Sequence, residues 1–200
     1  MQDAVVNLTR IGMMGHYMGD VPAQRRGNRV AGLAPTDLYP CSPGGTNDYA
    51  YIIATTKEMW ENLITAIGRP DVLTDPRFSD VRSRSHHFDE LFDIIASWTR
   101  QHDKFEVMRT LGEVGVPCGA VLDSGDVLSN EHLKARGMIR TIEHPTRGSF
   151  TMPGCAVQLS DSPVDVQPAP LLGQHNGDIL GSLLGLSQVD LANLKESGII

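Results

Sequence analysis

The chain has 200 residues of which 40% are hydrophobic, enough to bury the core of one ordinary domain or two small ones. Its 17 Lys and Arg against 24 Asp and Glu leave a formal charge of -7, which argues against a nucleic-acid surface, because duplex binding needs clustered cations to displace counterions. Cys41, Cys118 and Cys155 are odd in number and widely spaced, which suggests neither a disulfide framework nor a CxxC metal site, and a reducing compartment is expected.

No stretch approaches the roughly twenty apolar residues of a membrane span. Met1-Gln2-Asp3-Ala4 offers no basic region before an apolar run, so a cytoplasmic protein is expected. In chain order, residues 3 to 17 predict a helix with Val5, Leu8 and Ile11 on one stripe, without a cap ahead of it. From Asp20 to Pro43 the pattern lapses into Arg, Gly and Pro, which predicts a long loop or linker. The basic cluster inside it, Arg25, Arg26 and Arg29, is too short to form a polyanion site on its own.

Asn47 to Ile53 switches to aromatic and β-branched residues after Gly44-Gly45, the pattern of a strand. Thr55 is positioned to cap the next helix with Glu58 as its capping-box partner, and Met59, Trp60, Leu63, Ile64 and Ile67 form the inward face. Asp75-Pro76-Arg77-Phe78 reads as a turn, and residues 88 to 100 as a helix facing inward through Phe88, Leu91, Ile95 and Trp98. Asp103 then caps a helix, with Glu106 three residues on to reach back to the cap and Phe105, Met108 and Leu111 on one face. Gly115-Val116-Pro117-Cys118-Gly119-Ala120-Val121 follows, because Gly115 permits the reversal and Pro117 forbids more helix, so the chain turns into a short buried strand.

A short helix at 130 to 136 closes at Gly137, and alternation at Ile139–His144 and Ser149–Met152 around Pro145-Thr146-Arg147-Gly148 predicts a hairpin. Beyond a proline-rich connector at 160 to 170, helices are expected at 176 to 184 and after Ser187, which caps with Asp190. The pattern is α+β, divided into an N-terminal helix and linker (1–43), a small α+β domain (44–137), a hairpin connector (138–165) and a helical tail (166–200).

No complete catalytic constellation is legible. Cys118 is a candidate nucleophile, but no His or basic residue adjoins it in sequence, and a small buried residue is the favoured reading. His86, His87 and Glu90 offer two metal ligands on one helical turn without a third, so a solvated helix start is favoured over a metal site. His175 precedes a helix, where it faces an anion or takes part in a cap. His144 reads as a turn residue, and the loop backbone at Gly32-Leu33-Ala34 as ordinary loop able to line a pocket.

Seven stretches in a fixed order nevertheless carry a resemblance. They are Met1–Leu8, Asn47–Ile52, Ile67-Gly68-Arg69-Pro70, Asp75–Phe78, Gly115–Gly119, His144–Gly148 and Ala169–His175, and with them the chain resembles the C-terminal half of class III CoA-transferases, the CaiB/BaiF group that includes formyl-CoA transferase. The resemblance implies a small α+β domain with linkers and a tail completing a Rossmann-like large domain, in interlocked homodimers. It implies acyl-CoA and a small carboxylic acid as substrates, with coenzyme A as substrate rather than bound cofactor. An aspartate of the other half attacks the thioester, so the resemblance places no catalytic residue in this chain. It places one substrate-side element here, the loop Val30-Ala31-Gly32-Leu33-Ala34, where only Gly32 matches the family's glycine-rich loop, so the resemblance leaves the acid open between oxalate or formate and other small acids. Acyl-CoA racemases of the same family, and a non-catalytic CoA-binding or assembly module, are the competing readings.

Overall fold

The computed structural model describes residues 1–19, 22, 24–30 and 32–200. These form two compact units, Met1–Leu122 and Asp123–Ile200. In the first, α1 (Gln2–Leu8) and α2 (Arg10–Gly19) lead to β1 (Thr36–Pro40), β2 (Tyr49–Ile53), α3 (Lys57–Ala66), α4 (Val81–His86), α5 (Phe88–Thr99), α6 (Lys104–Glu113) and β3 (Cys118–Ala120).

The three strands form one antiparallel sheet in the order β1-β2-β3. β1 is a strand where the sequence predicts only linker. Its Pro40 sits at the end of an edge strand, where a missing N–H costs no ladder bond, and the inward Asp37 that spoils the apolar alternation is paired with Arg29. Helix α5 lies against β1, where Phe92 stacks on Tyr39 at 4.9 Å and the Thr99 hydroxyl donates to the Pro40 carbonyl at 2.7 Å. The core runs from Ala34 to Val116 and includes Ile52, Trp60, Leu63, Ile64, Phe78, Leu91, Ile95, Val107 and Leu111.

Several local expectations shift by a residue or a partner. The helix predicted at 3–17 breaks at Thr9, whose N–H donates to both Val5 and Val6 carbonyls and whose hydroxyl donates to Val6 at 2.8 Å, and Gly12 then closes a tighter turn onto the Thr9 carbonyl. Val5 and Leu8 of its expected stripe are exposed, and the Ile11 side chain lies outside the described residues. Thr56 rather than Thr55 caps α3, accepting from the Met59 N–H at 3.2 Å. Asp103 caps α6 as expected, accepting from the Phe105 and Glu106 amides at 2.9 and 3.0 Å, but the Glu106 carboxylate lies 2.9 Å from His102 Nδ1. The buried face of α6 is Lys104, Val107 and Leu111, with Phe105 and Met108 exposed, because Lys104 reaches inward to donate to the Val121 carbonyl at 2.9 Å.

In the second unit, α7 (Ser124–Ser129) and α8 (Glu131–Ala135) precede the hairpin β4 (Ile139–His144) and β5 (Gly148–Pro153), and α9 (Asn176–Leu184) and α10 (Gln188–Glu196) follow an extended stretch. Helix α7 is additional to the sequence reading; Asp123 and Asp126 form its capping box. The hairpin, the Ser187–Asp190 capping box and both late helices stand where expected.

Candidate functional site

The loop before β1 is held by side chains from four elements, β1, β2, α4 and α5. Tyr51 on β2 donates its hydroxyl to the Asn28 carbonyl at 3.3 Å, and Arg29 donates through Nε to Asp37 Oδ2 at 3.1 Å and through Nη1 to Asp89 Oδ1 at 2.8 Å. Arg84 on α4 donates to the Ala34 carbonyl at 2.9 Å and the Phe78 carbonyl at 3.2 Å. Between these ties Val30 and Gly32 stand on the wall of a cleft of about 380 Å³, completed by Arg26, Arg29, Ser85 and Phe88. Ala31 lies outside the described residues.

The two arginines of the cleft differ in what they can offer. The Arg29 guanidinium lies 4.1 Å from the centre of the Phe88 ring; partial burial opposes its charge, yet the bonds to Asp89 and Asp37 outweigh that and hold its pKa above the ordinary arginine value. Its charge is therefore answered by two carboxylates. Arg26 makes no ion pair among the described residues. The Ser85 hydroxyl donates to the Val81 carbonyl at 2.8 Å, within its own helix. Gly32 has φ +74° and open space where a Cβ would stand.

Arg84 is 3% exposed and stacks 4.6 Å from the Trp60 ring centre, with carbonyls instead of a carboxylate as partners. Burial pushes its pKa below the ordinary arginine value. It fastens the far end of the loop to the core.

The other residues singled out in the sequence fall elsewhere. Cys118 lies half-buried on β3, where burial, with the Cys41 thiol adding to it, pushes its pKa up to about 12, so it is a protonated thiol near neutral pH. His87 Nδ1 meets Glu90 Oε1 at 3.1 Å and Glu90 also pairs with Arg77, a surface ion cluster; no group among the described residues is arranged to hold a metal. His175 is exposed at the start of α9 and makes no side-chain cap, while the Leu171 N–H donates to Gln174. His144 Nδ1 accepts from the Thr146 and Arg147 amides, which closes the hairpin turn. The structure thus brings Gly32 into a cleft and leaves Cys118, His86, His87, Glu90 and His175 outside it.

Asp37, Arg84 and Asp89 carry no signal in the sequence, and Arg29 stands out there only as one of a short basic cluster. Asp37 and Asp89 lie 8 and 60 positions from Arg29, a spacing that no periodicity links. Arg84 sits in Val81-Arg82-Ser83-Arg84-Ser85-His86, which carries no sign that one of its arginines is buried.

A family described as CoA-transferase family III matches residues 1–176. The chain is similar to a formyl-CoA:oxalate CoA-transferase of Streptomyces coelicolor, 37% identical over 215 residues that cover 100% of this chain and 52% of the relative. Another relative of that name, from Bradyrhizobium diazoefficiens, is 35% identical and covers 100% and 51%. The chain therefore spans about half the length of the curated relatives it matches. Among solved structures it resembles a CAIB/BAIF family protein from Brucella suis at TM-score 0.72 and 22% identity, covering 88% of this chain and 45% of that one. Rv3272 from M. tuberculosis is similar at TM-score 0.62 and 21% identity, covering 88% and 44%. These two likenesses speak to the fold, and the family match along most of the chain, with relatives above 30% identity along all of it, shows that this chain belongs to CoA-transferase family III.

Proposed function

We propose that these residues are the C-terminal portion of an enzyme that moves CoA from an acyl-CoA to a small carboxylic acid through an aspartyl intermediate, with the nucleophile outside this chain. In that chemistry a carboxylate adds to the thioester carbonyl and expels CoA thiolate, leaving a mixed anhydride. The thiolate then takes the aspartyl carbonyl and releases the first acid. The acceptor carboxylate displaces CoA again, and the returning thiolate forms the new thioester and frees the aspartate. The observation that carries the reading is the alignment of 100% of this chain with 52% of a relative named for CoA transfer between formyl-CoA and oxalate.

The cleft beside Gly32 supports it, since its described lining can bind and orient but pairs no nucleophile with a base: Ser85 is committed to its helix and Arg29 to two acids. Gly32 and its loop are proposed to form part of the acid-side wall, in a homodimer of the longer chain. The test compares this 200-residue chain with the complete reading frame around it, each given formyl-CoA or succinyl-CoA with oxalate, formate or another small acid, with CoA esters separated by chromatography. Transfer by the longer protein alone is the expected result. Transfer by the 200-residue chain would overturn the placement of the nucleophile, and no transfer by either would overturn the reading.

A further inference from the structure

In the second unit, helix α8 ends at a turn that builds a slot for one side chain. The Met138 N–H donates to the Leu133 carbonyl and the Gly137 N–H to the Lys134 carbonyl, both at 2.9 Å, an arrangement that needs Gly137 at φ +69°. The far strand of the hairpin comes back so close that Gly154 donates to the Met138 carbonyl at 2.8 Å, and a Cβ on Gly154 would stand 2.0 Å from the Gly137 oxygen. Arg140 fills the space the two glycines leave. Its Cγ lies 3.5 Å from the Cβ position of Gly154, and its guanidinium 3.3 Å from that of Gly137.

From this slot Arg140 faces two adjoining clefts. One, of about 450 Å³, is polar and basic, with Lys134, Arg136, Thr141 and Gln158 beside Arg140. The other, of about 150 Å³, shares Arg140 and Gln158 and is otherwise mainly apolar, with Val157, Pro163, Val164 and Cys155 on its wall. Gln158 pins the shared wall by donating to the Arg136 carbonyl at 2.7 Å. Lys134 is paired with Glu131 at 2.9 Å, whereas neither Arg136 nor Arg140 has an ion-pair partner among the described residues. Two unbalanced guanidiniums on one polar cleft, in a chain of formal charge -7, are a local reversal of sign. The planar fork of arginine matches the oxygens of a phosphate, and the small apolar recess suits a single ring or a short chain.

We propose that this composite cleft binds an organic phosphate, its phosphate against Arg136 and Arg140 and its apolar body against Val157, Pro163 and Val164. The cleft shares no lining residue with that of Gly32, and the coenzyme A fragments among the probes below rest on the transferase reading, whereas inorganic phosphate and AMP do not. The ligand chemistry is shared by free nucleotides and by the phosphorylated end of coenzyme A, and the probes tell them apart. Calorimetric titration of the full chain with inorganic phosphate, AMP, 3′,5′-ADP, dephospho-CoA and CoA is the first measurement. Saturable binding of 3′,5′-ADP is expected, competed by inorganic phosphate and weakened about tenfold by Arg136→Gln or Arg140→Gln, as for loss of one charge-assisted contact. The exposed Arg109→Gln serves as an unaffected control.

Tighter binding of CoA than of dephospho-CoA would assign the site to the coenzyme, and equal binding of AMP would assign it to free nucleotides; either supports the proposal. Arg136→Gln leaves the glycine slot occupied and so keeps the test valid if Arg140→Gln unfolds the hairpin. Iodoacetamide labelling of Cys155 gives an independent readout and is expected to slow when the recess is filled. No saturable binding of any probe, or binding unchanged by both substitutions, overturns the proposal.

Discussion

Arg84 shows how one side chain couples a helix, a loop and the core. Its guanidinium satisfies the Ala34 and Phe78 carbonyls and covers the Trp60 ring, so its removal would leave buried acceptors without donors. Arg84→Met is expected to destabilise the chain by about 2–3 kcal/mol, and Arg84→Lys by less, because an ammonium can keep one carbonyl but not the fork. Urea unfolding of the two variants checks this; equal losses would mean that charge rather than donor geometry matters. The thiols of buried Cys41 and half-buried Cys118 supply a second residue-scale test. Burial pushes Cys41 up to about 11 and Cys118 up to about 12 from an ordinary value of 9.0. Since these folded values are raised, the unfolded chain loses its thiol protons first as pH rises. The associated stability is complete below pH 9 and is lost between pH 9 and about 11 to 12. Cys118→Ala is expected to flatten the alkaline limb of a stability-against-pH curve, and an unchanged limb would show that Cys118 ionises freely. At this scale resemblance points to the loop of Gly32, which the structure sets on the wall of a cleft. Nothing in the sequence points to Arg84, since burial of a polar side chain depends on what surrounds it in space, and Ala34 lies 50 positions away.

Elements were read well where local chemistry decides them, and poorly where tertiary contacts do. The α6 cap, the Gly115 reversal and the hairpin turn need only neighbouring residues, and each stands where the sequence puts it. β1 needs Arg29 to neutralise Asp37 and β2 to supply its ladder, so its own residues look like loop. The inward face of α6 departs from its sequence pattern for a related reason: Lys104 bridges to the Val121 carbonyl, which turns a charged residue inward at the expense of Phe105. The α6 cap gives a sharp contrast between two acids. Asp103→Ala removes the acceptor of two free amides and is expected to cost about 1 kcal/mol. Glu106→Ala removes only a half-exposed contact to His102 and is expected to cost a few tenths of a kcal/mol. Thermal melts of both variants at pH 7 measure the difference, and equal losses would restore Glu106 to the capping box.

At the scale of the whole chain, stability is concentrated in one unit. Every member of the main apolar cluster lies between Ala34 and Val116, within Met1–Leu122. The buried apolar residues of Asp123–Ile200 are Ile139, Ile142 and Leu191, while Leu172, Leu183 and Leu184 are strongly exposed. Cooperative unfolding follows from a shared core, because loss of any packed side chain weakens its neighbours, whereas a hairpin and helices with few buried contacts open at low cost. Residues 1–122 alone are therefore expected to unfold in one cooperative urea transition, with a midpoint close to that of the main transition of the 200-residue chain. Hydrogen exchange on the full chain is expected to place the slowest amides on β2, α3 and α5, with Asp123–Ile200 exchanging faster by a factor set by its own smaller opening energy. A truncated chain that unfolds gradually, or slow exchange shared equally by the hairpin, would mean that residues 123–200 contribute to the core of the first unit, and the division at Leu122 would then mark a change in contact density without a change in cooperativity.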